Sequence, residues 1–225
     1  MNFRQRLKYI LDPQIRAVSI EPTNDCNMDC HYCHRKMREV GYMGYKEFKW
    51  IIGQLPEGMP VTLSYGGESI VHPRFGEMAK YAAKKGHKVT VYSNGLTEYP
   101  AGVEVIVYAK PPPIVLTWDQ RFEKPNNLKP VYRYCPEPYY GINILWNGDV
   151  VPCCRCNSGN RVMGNVFKSS LKKVWSNEKF RELRVWGHCE GCEVYRYDLG
   201  AKGVEDYARQ YNPEYTVKVS GGVKP

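Results

Sequence analysis

No stretch of this chain is apolar for the ~20 residues that a membrane-spanning helix requires, so no such helix is expected. Met1 to Asp12 is charged and lacks the continuous apolar segment of a secretory signal. The expected compartment is therefore a reducing cytoplasm, with no membrane partner. There is no internal repeat, and no nucleic-acid-binding motif accompanies the positive charge, which leaves nucleic acid open on charge alone. Acidic residues are in deficit: 23 Asp and Glu face 32 Lys and Arg, for a formal charge of +9. That excess favours an anionic or phosphate-bearing partner without identifying it. Much of it is explained by lysines on the solvated backs of helices, such as Lys80, Lys84, Lys85, Lys172 and Lys173.

What the chain does have in abundance is cysteine and tyrosine, 9 and 18 in 225 residues. The cysteine count is odd and falls in three groups, which suits metal ligation better than a disulfide framework. Tyrosine adds aromatic bulk with a polar tip, useful in a lined cavity or an interface, although most of the 18 are expected simply to fill strand positions. Hydrophobic residues make up 43 % of the chain, enough for one ordinary domain with a small appendage.

The patterning predicts strand Ala17–Ile20, helix Met43–Leu55 and strand Val61–Tyr65, then helix Pro73–Lys85 with Pro in its first turn, and strand Lys88–Tyr92. Such alternation implies parallel strands with right-handed crossovers. Val103–Tyr108 and Ile114–Trp118 are further strand candidates, but Pro111-Pro112-Pro113 leaves no room for a helix between them. Tyr140–Val151 reads as a hairpin turning tightly at Asn147-Gly148. Phe167–Arg184 reads as two helical pieces, the second capped by Ser176 or Asn177. Val204–Tyr211 is a last short helix candidate, and Met1–Leu11 a basic amphipathic lead-in.

Cys26, Cys30 and Cys33 form C-x3-C-x2-C on a loop just after a strand. Three thiolates at this spacing can hold three irons of a [4Fe–4S] cluster and leave the fourth open to a reagent. The same three cysteines with His31 or His34 could instead hold zinc, and the spacing alone does not choose between them.

Three motifs together resemble the radical SAM superfamily: CNMDCHYC, SYGGES at Ser64 to Ser69, and VYSNG at Val91 to Gly95. The resemblance implies a [4Fe–4S] cluster on Cys26, Cys30 and Cys33 whose open iron is chelated by S-adenosylmethionine (SAM). It places Gly66, Gly67 and Glu68 at the SAM amino group, Tyr32 near adenine, and Ser93 and Asn94 at the end of the third strand facing the site. Glycine would let backbone approach the ligand without a Cβ. All three motifs fall at carboxyl ends of successive parallel strands, where barrel active sites assemble. The implied chemistry is reductive cleavage of SAM to a 5′-deoxyadenosyl radical that takes a hydrogen atom from substrate. An electron donor such as flavodoxin or ferredoxin is implied as partner.

Cys135, Cys153, Cys154, Cys156, Cys189 and Cys192 remain. A hairpin brings Cys135 and Cys153 within reach of each other, and Cys189 and Cys192 form a C-x2-C pair. With WNGDVVPC, GNVFKSSLKKVW and NEKFRELR, this part resembles the SPASM and twitch extensions of radical SAM enzymes. The resemblance implies a second, auxiliary [4Fe–4S] cluster on Cys135, Cys153, Cys189 and Cys192, leaving Cys154 and Cys156 as surplus thiols. Either could replace Cys153, and zinc on four cysteines is the alternative for the whole site.

About forty residues separate Gly95 from Cys135, too few for the six strand–helix units of the family. The expected fold is α/β: a truncated, open partial barrel of TIM type with a small hairpin-plus-helix subdomain. Residues 1–131 would form the core, 132–199 the auxiliary-cluster part, and 200–225 a C-terminal helix and tail. Lys110 and Asp119 sit near strand ends but read as solvated loop charges. An open side calls for a cover, from a peptide or protein substrate or from a second subunit. The first functional expectation is modification of a peptide or protein side chain. The others are small-molecule dehydrogenation, with the auxiliary cluster as electron acceptor, and a non-catalytic cysteine-rich metal or nucleic-acid module.

Overall fold

The structure, a computed structural model, describes residues 14–29, 33–96, 104–107, 137–153, 156, 159 and 161–186. Strands β1 (Ala17–Ile20), β2 (Val61–Leu63), β3 (Val89–Ser93) and β4 (Glu104–Val107) lie parallel. Helix α1 (Tyr45–Ile52) crosses from β1 to β2, and α2 (Phe75–Lys84) from β2 to β3. The alternation anticipated from the sequence is thus present, with shorter elements. The expected strand Ile114–Trp118 and helix Val204–Tyr211, together with Met1–Leu11, Lys110 and Asp119, lie outside the described residues.

Both helices form because apolar residues recur at helical spacing. In α1, Phe48, Ile51 and Ile52 are buried, and in α2 Phe75, Met78, Ala79 and Ala82. Each of the larger side chains gains roughly 1.5–3 kcal/mol from that burial. Gly53 ends α1 ahead of Pro56. Gly86, at φ +82°, takes the left-handed conformation that stops α2. Pro73 was expected inside the first turn of this helix. It instead precedes the N-cap Arg74, and the helix starts at Phe75.

The strands alternate cleanly. Val18 and Ile20, Val61 and Leu63, and Val89 and Val91 enter the core under the helices. Ser19, Thr62, Thr90 and Tyr92 take the alternate positions and are only partly buried. The Ser19 hydroxyl donates to the Ser64 carbonyl at 2.8 Å, and the Ser64 hydroxyl to the Tyr92 carbonyl at 3.4 Å.

The second edge of β1 is covered by the C-terminal part of the chain. β5 (Gly141–Ile144) pairs with β1 in parallel, Ala17 opposite Gly141 and Ile20 opposite Ile144. β6 (Asp149–Val151) and β7 (Gly164–Asn165) continue antiparallel. The result is one seven-stranded sheet in the order β4-β3-β2-β1-β5-β6-β7, a partial barrel of TIM type. Pairing of β5 on β1 was not anticipated.

The hairpin turns at the expected place but by a different device. The Gly148 N–H donates to the Leu145 carbonyl at 2.9 Å, and the Leu145 N–H to the Asp149 carbonyl at 2.8 Å. Only Gly148 takes a positive φ, so this is a three-residue loop, not a two-residue turn with Asn147 also left-handed. The helical region beyond begins at Leu171 and not at Phe167, because Ser170 caps α3 (Leu171–Trp175) by accepting from the Lys173 N–H at 3.3 Å. Asn177 caps α4 (Glu178–Trp186), its Oδ1 accepting from the Phe180 N–H at 3.0 Å. Trp175, Phe180 and Leu183 join the same core as β1 to β3.

Candidate functional site

Because β1, β2, β3 and β5 run in parallel, the segments following them emerge at one end of the sheet. The loop after β1 closes on itself through a polar stem. The Thr23 hydroxyl donates to the Gly41 carbonyl at 2.7 Å. The Asn24 amide bridges the two limbs, donating to the Glu39 carbonyl at 2.8 Å and accepting from the Gly41 N–H at 2.8 Å. Asp25 then accepts from the Cys26 N–H at 2.8 Å and from the Tyr42 hydroxyl. Cys26 and Cys33 therefore project from a loop whose base is fixed by buried Thr23 and Asn24. Cys30 and Tyr32 lie outside the described residues.

The second motif docks directly on this loop. The Glu68 N–H donates to the Asp25 carbonyl at 2.8 Å. A Cβ on Gly67 would stand 2.6 Å from the Asn24 carbonyl carbon, and one on Gly66 2.6 Å from Glu21 Oε1 and against Arg38. Both glycines are thus required by the close approach of the cysteine loop and its ion pair, a constraint separate from ligand access. The buried Glu68 carboxylate accepts from the Asn94 N–H at 2.7 Å. The Asn94 side-chain amide reaches Asn27 Oδ1 at 2.7 Å and the Cys26 sulfur at 3.8 Å. Cys26, Glu68 and Asn94, from three strand ends, form one connected cluster. Ser93 follows the buried alternation of Val89 and Val91, and its hydroxyl accepts from the Gly95 N–H at 3.2 Å.

Sequence reading missed the group at the centre of this assembly. Glu21, fully buried at the end of β1, takes two hydrogen bonds from Arg38, at 2.6 and 2.8 Å. It also accepts from the Gly66 N–H at 3.0 Å and the Trp146 N–H at 3.3 Å. One carboxylate therefore ties together the ends of β1, β2 and β5. The available signal was the acid of EPTNDC followed by an arginine just beyond the cysteines, but sequence order does not show that Arg38 folds back. Burial lowers the affinity of Arg38 for its proton, and the Glu21 carboxylate more than restores it.

The surroundings fit an anionic cluster held by thiolates. Arg35 lies near Cys26 and Arg38 near Cys33. Their Nε atoms are buried without a hydrogen-bond partner among the described residues. Arg35 favours the thiolate form of Cys26. Burial otherwise pushes the Cys26 thiol up, so metal binding there releases a proton.

At the second cysteine group, Cys153 and Cys156 pack with Leu145, Val151 and Tyr65 at the end of β6. Burial pushes the Tyr65 hydroxyl far above its usual range, leaving it a permanent donor. Cys135, Cys154, Cys189 and Cys192 lie outside the described residues. Arg184 on α4 is also fully buried, stacked 4.0 Å from the Trp175 ring, with Nε donating to the Pro138 carbonyl at 2.9 Å. Both Nη atoms lack a partner among the described residues. Burial pulls this guanidinium down to about 10, so it remains charged at neutral pH.

A family model described as the radical SAM superfamily matches residues 20–137, more than half of the chain, and an iron–sulfur cluster-binding SPASM domain matches residues 135–193. The chain belongs to the radical SAM superfamily. Its cofactors are a [4Fe–4S] cluster with SAM and auxiliary iron–sulfur binding in the SPASM region. It is 30 % identical to the antilisterial bacteriocin subtilosin biosynthesis protein AlbA of Bacillus subtilis, over 42 % of this chain and 22 % of AlbA. The match spans about a fifth of the length of the curated relatives it resembles first. Its fold is similar to BtrN in complex with AdoMet and 2-DOIA, with a TM-score of 0.61 at 17 % identity, covering 78 % of this chain and 88 % of that one. It is similar also to Streptococcus suis SuiB bound to precursor peptide SuiA, with a TM-score of 0.57 at 12 % identity, covering 87 % and 78 %. Among the described residues no helix is long and apolar enough to cross a membrane.

Proposed function

We infer that this chain is the working part of a radical SAM enzyme that modifies a peptide or protein side chain. Cys26, Cys30 and Cys33 hold the SAM-binding [4Fe–4S] cluster, and Cys135, Cys153, Cys189 and Cys192 an auxiliary one. Residues 1–131 supply the core, 132–199 the auxiliary part and 200–225 the tail. The observation that carries the reading is the convergence of Cys26, Glu68 and Asn94 at one end of the sheet. When bound, the cluster supplies the electron that splits SAM into methionine and a 5′-deoxyadenosyl radical.

The protein's own share is binding, orientation and exclusion of water. Glu68 spends part of its carboxylate on the Asn94 and Ile70 N–H groups and keeps acceptor capacity for the SAM ammonium. Gly66 and Gly67 hold that carboxylate against the cysteine loop. Tyr32 would pack on adenine, and Ser93 and Asn94 close the end of β3. Flavodoxin or ferredoxin supplies the electron. The kinship with AlbA, a bacteriocin biosynthesis protein, and the net charge of +9 support a chain-like anionic substrate. That substrate, or a second copy of the protein, covers the open side of the partial barrel.

The test is anaerobic reconstitution. About eight irons per chain, 5′-deoxyadenosine release on reduction, and loss of release in Cys26→Ala are expected. Stoichiometric zinc with no SAM cleavage would sink the reading. A mass change in a candidate peptide supports the substrate class. Turnover confined to a small alcohol or sugar would replace it with dehydrogenation.

A further inference from the structure

Among the described residues, Arg38 and Tyr65 lie between the two cysteine groups. From the end of β2, the Tyr65 hydroxyl donates to the Cys156 carbonyl at 2.6 Å and lies 3.3 Å from the Cys153 carbonyl. Those two residues already form a tight turn, with the Cys156 N–H donating to the Cys153 carbonyl at 3.2 Å. Arg38 comes from the other cysteine loop, and its guanidinium stands 5.6 Å from the centre of the Tyr65 ring. Its stem runs past Gly159, where an added Cβ would stand 3.0 Å from Arg38 Cδ. The Gly159 N–H donates back to the Cys156 carbonyl at 3.1 Å. Glu21 fixes the far side of Arg38 through two hydrogen bonds.

We propose that Arg38 and Tyr65 are positioning residues that hold the two cysteine loops in one fixed relation, Tyr65 setting the Cys153–Cys156 turn and Arg38 bracing it from the first loop. The metal identities rest on the function proposed above, but the bridge does not. Simple packing would be served by any aromatic ring at position 65. A hydroxyl that reaches two carbonyls of the same turn serves only if the turn itself must be held. A guanidinium braced by a carboxylate at one end, and lying along a glycine at the other, keeps a constant gap between the loops.

The experiment compares iron-loaded full-length wild type, Tyr65→Phe and Arg38→Lys by amide hydrogen exchange and by electron paramagnetic resonance of the reduced clusters. In Tyr65→Phe, exchange at Cys156 and Gly159 is expected to quicken about tenfold, with the Thr23–Gly41 stem unchanged. The auxiliary-cluster signal should change shape while the SAM-dependent change of the other signal persists. Arg38→Lys should quicken both the stem and the Cys156 turn. Unchanged exchange at Cys156 and Gly159 in Tyr65→Phe overturns the proposal, as does Arg38→Lys that loosens its own loop alone. Metal analysis of the wild type judges the function separately, since exchange reads the bridge whichever metal fills the site.

Discussion

The region around β1 and the region around α4 each enclose an arginine, Arg38 and Arg184, and they satisfy it in opposite ways. Arg38 meets a fully buried carboxylate with two-point geometry, and that carboxylate is saturated by two further backbone donors. Arg184 has a carbonyl on Nε, the rings of Trp175 and Phe180 at 4.0 and 5.0 Å from its guanidinium carbon, and no acid on its Nη atoms among the described residues. The first arrangement pairs its charge, leaving Arg38 Nε alone without a partner among the described residues. The second has no balancing acid among the described residues. A buried pair is costly to break from one side, whereas a lone buried cation costs stability merely by being present.

The sharpest way to break this contrast is Glu21→Ala, which strands Arg38 and frees the Gly66 and Trp146 amides. The loss should be about 3–5 kcal/mol in urea denaturation. Gly67→Ala attacks the same region sterically, because its Cβ would press on Asn24 and Asp25 backbone atoms. A cost of roughly 1–3 kcal/mol is expected, with weaker SAM binding by calorimetry.

His72 adds a pH dependence to the first region. Its Nδ1 accepts from the Arg74 N–H at 3.0 Å, so its Nε2–H donates to the Met43 carbonyl at 3.0 Å. Burial, with a smaller contribution from Arg74, holds its pKa below the usual 6.5. The folded state thus favours the neutral ring. This contribution to stability is whole above about pH 6.5 and drains away as pH falls toward the lower folded value. Denaturation midpoints from pH 7.5 to 5 should slope less in His72→Gln than in wild type. At the small end, Arg184→Met should shift stability by no more than about 1 kcal/mol, or raise it, in urea titrations. A loss as large as that of Glu21→Ala would erase the distinction between the regions.

Much of this was legible in the sequence because it is local. Strand alternation at Val18/Ile20 and Val61/Leu63, the i, i+3, i+4 pattern of Phe48, Ile51 and Ile52, and the capping power of Asn177 all announce themselves within a few residues. The three motifs were placed at strand ends by the same logic. What stayed hidden is non-local. Pairing of β5 with β1 depends on which edge is free, and Glu21 with Arg38 depends on how a loop returns. Gly66 and Gly67 read as openings for a ligand, yet the neighbours they accommodate are Arg38 and Asn24, which no spacing rule reveals. The hairpin turn differed because Asn147 keeps a negative φ and Gly148 alone supplies the left-handed residue.

Placing β5 against β1 also has a consequence for biosynthesis. During translation, Ala17 emerges early and finds β2 soon afterwards, but its other flank must wait until Gly141 clears the ribosome. For that interval a rim of unpaired backbone amides lies in what will become the middle of the sheet, an invitation to stick to a neighbouring copy. Nascent chains halted near residue 131 should for that reason depend on chaperones more heavily than chains released after residue 151.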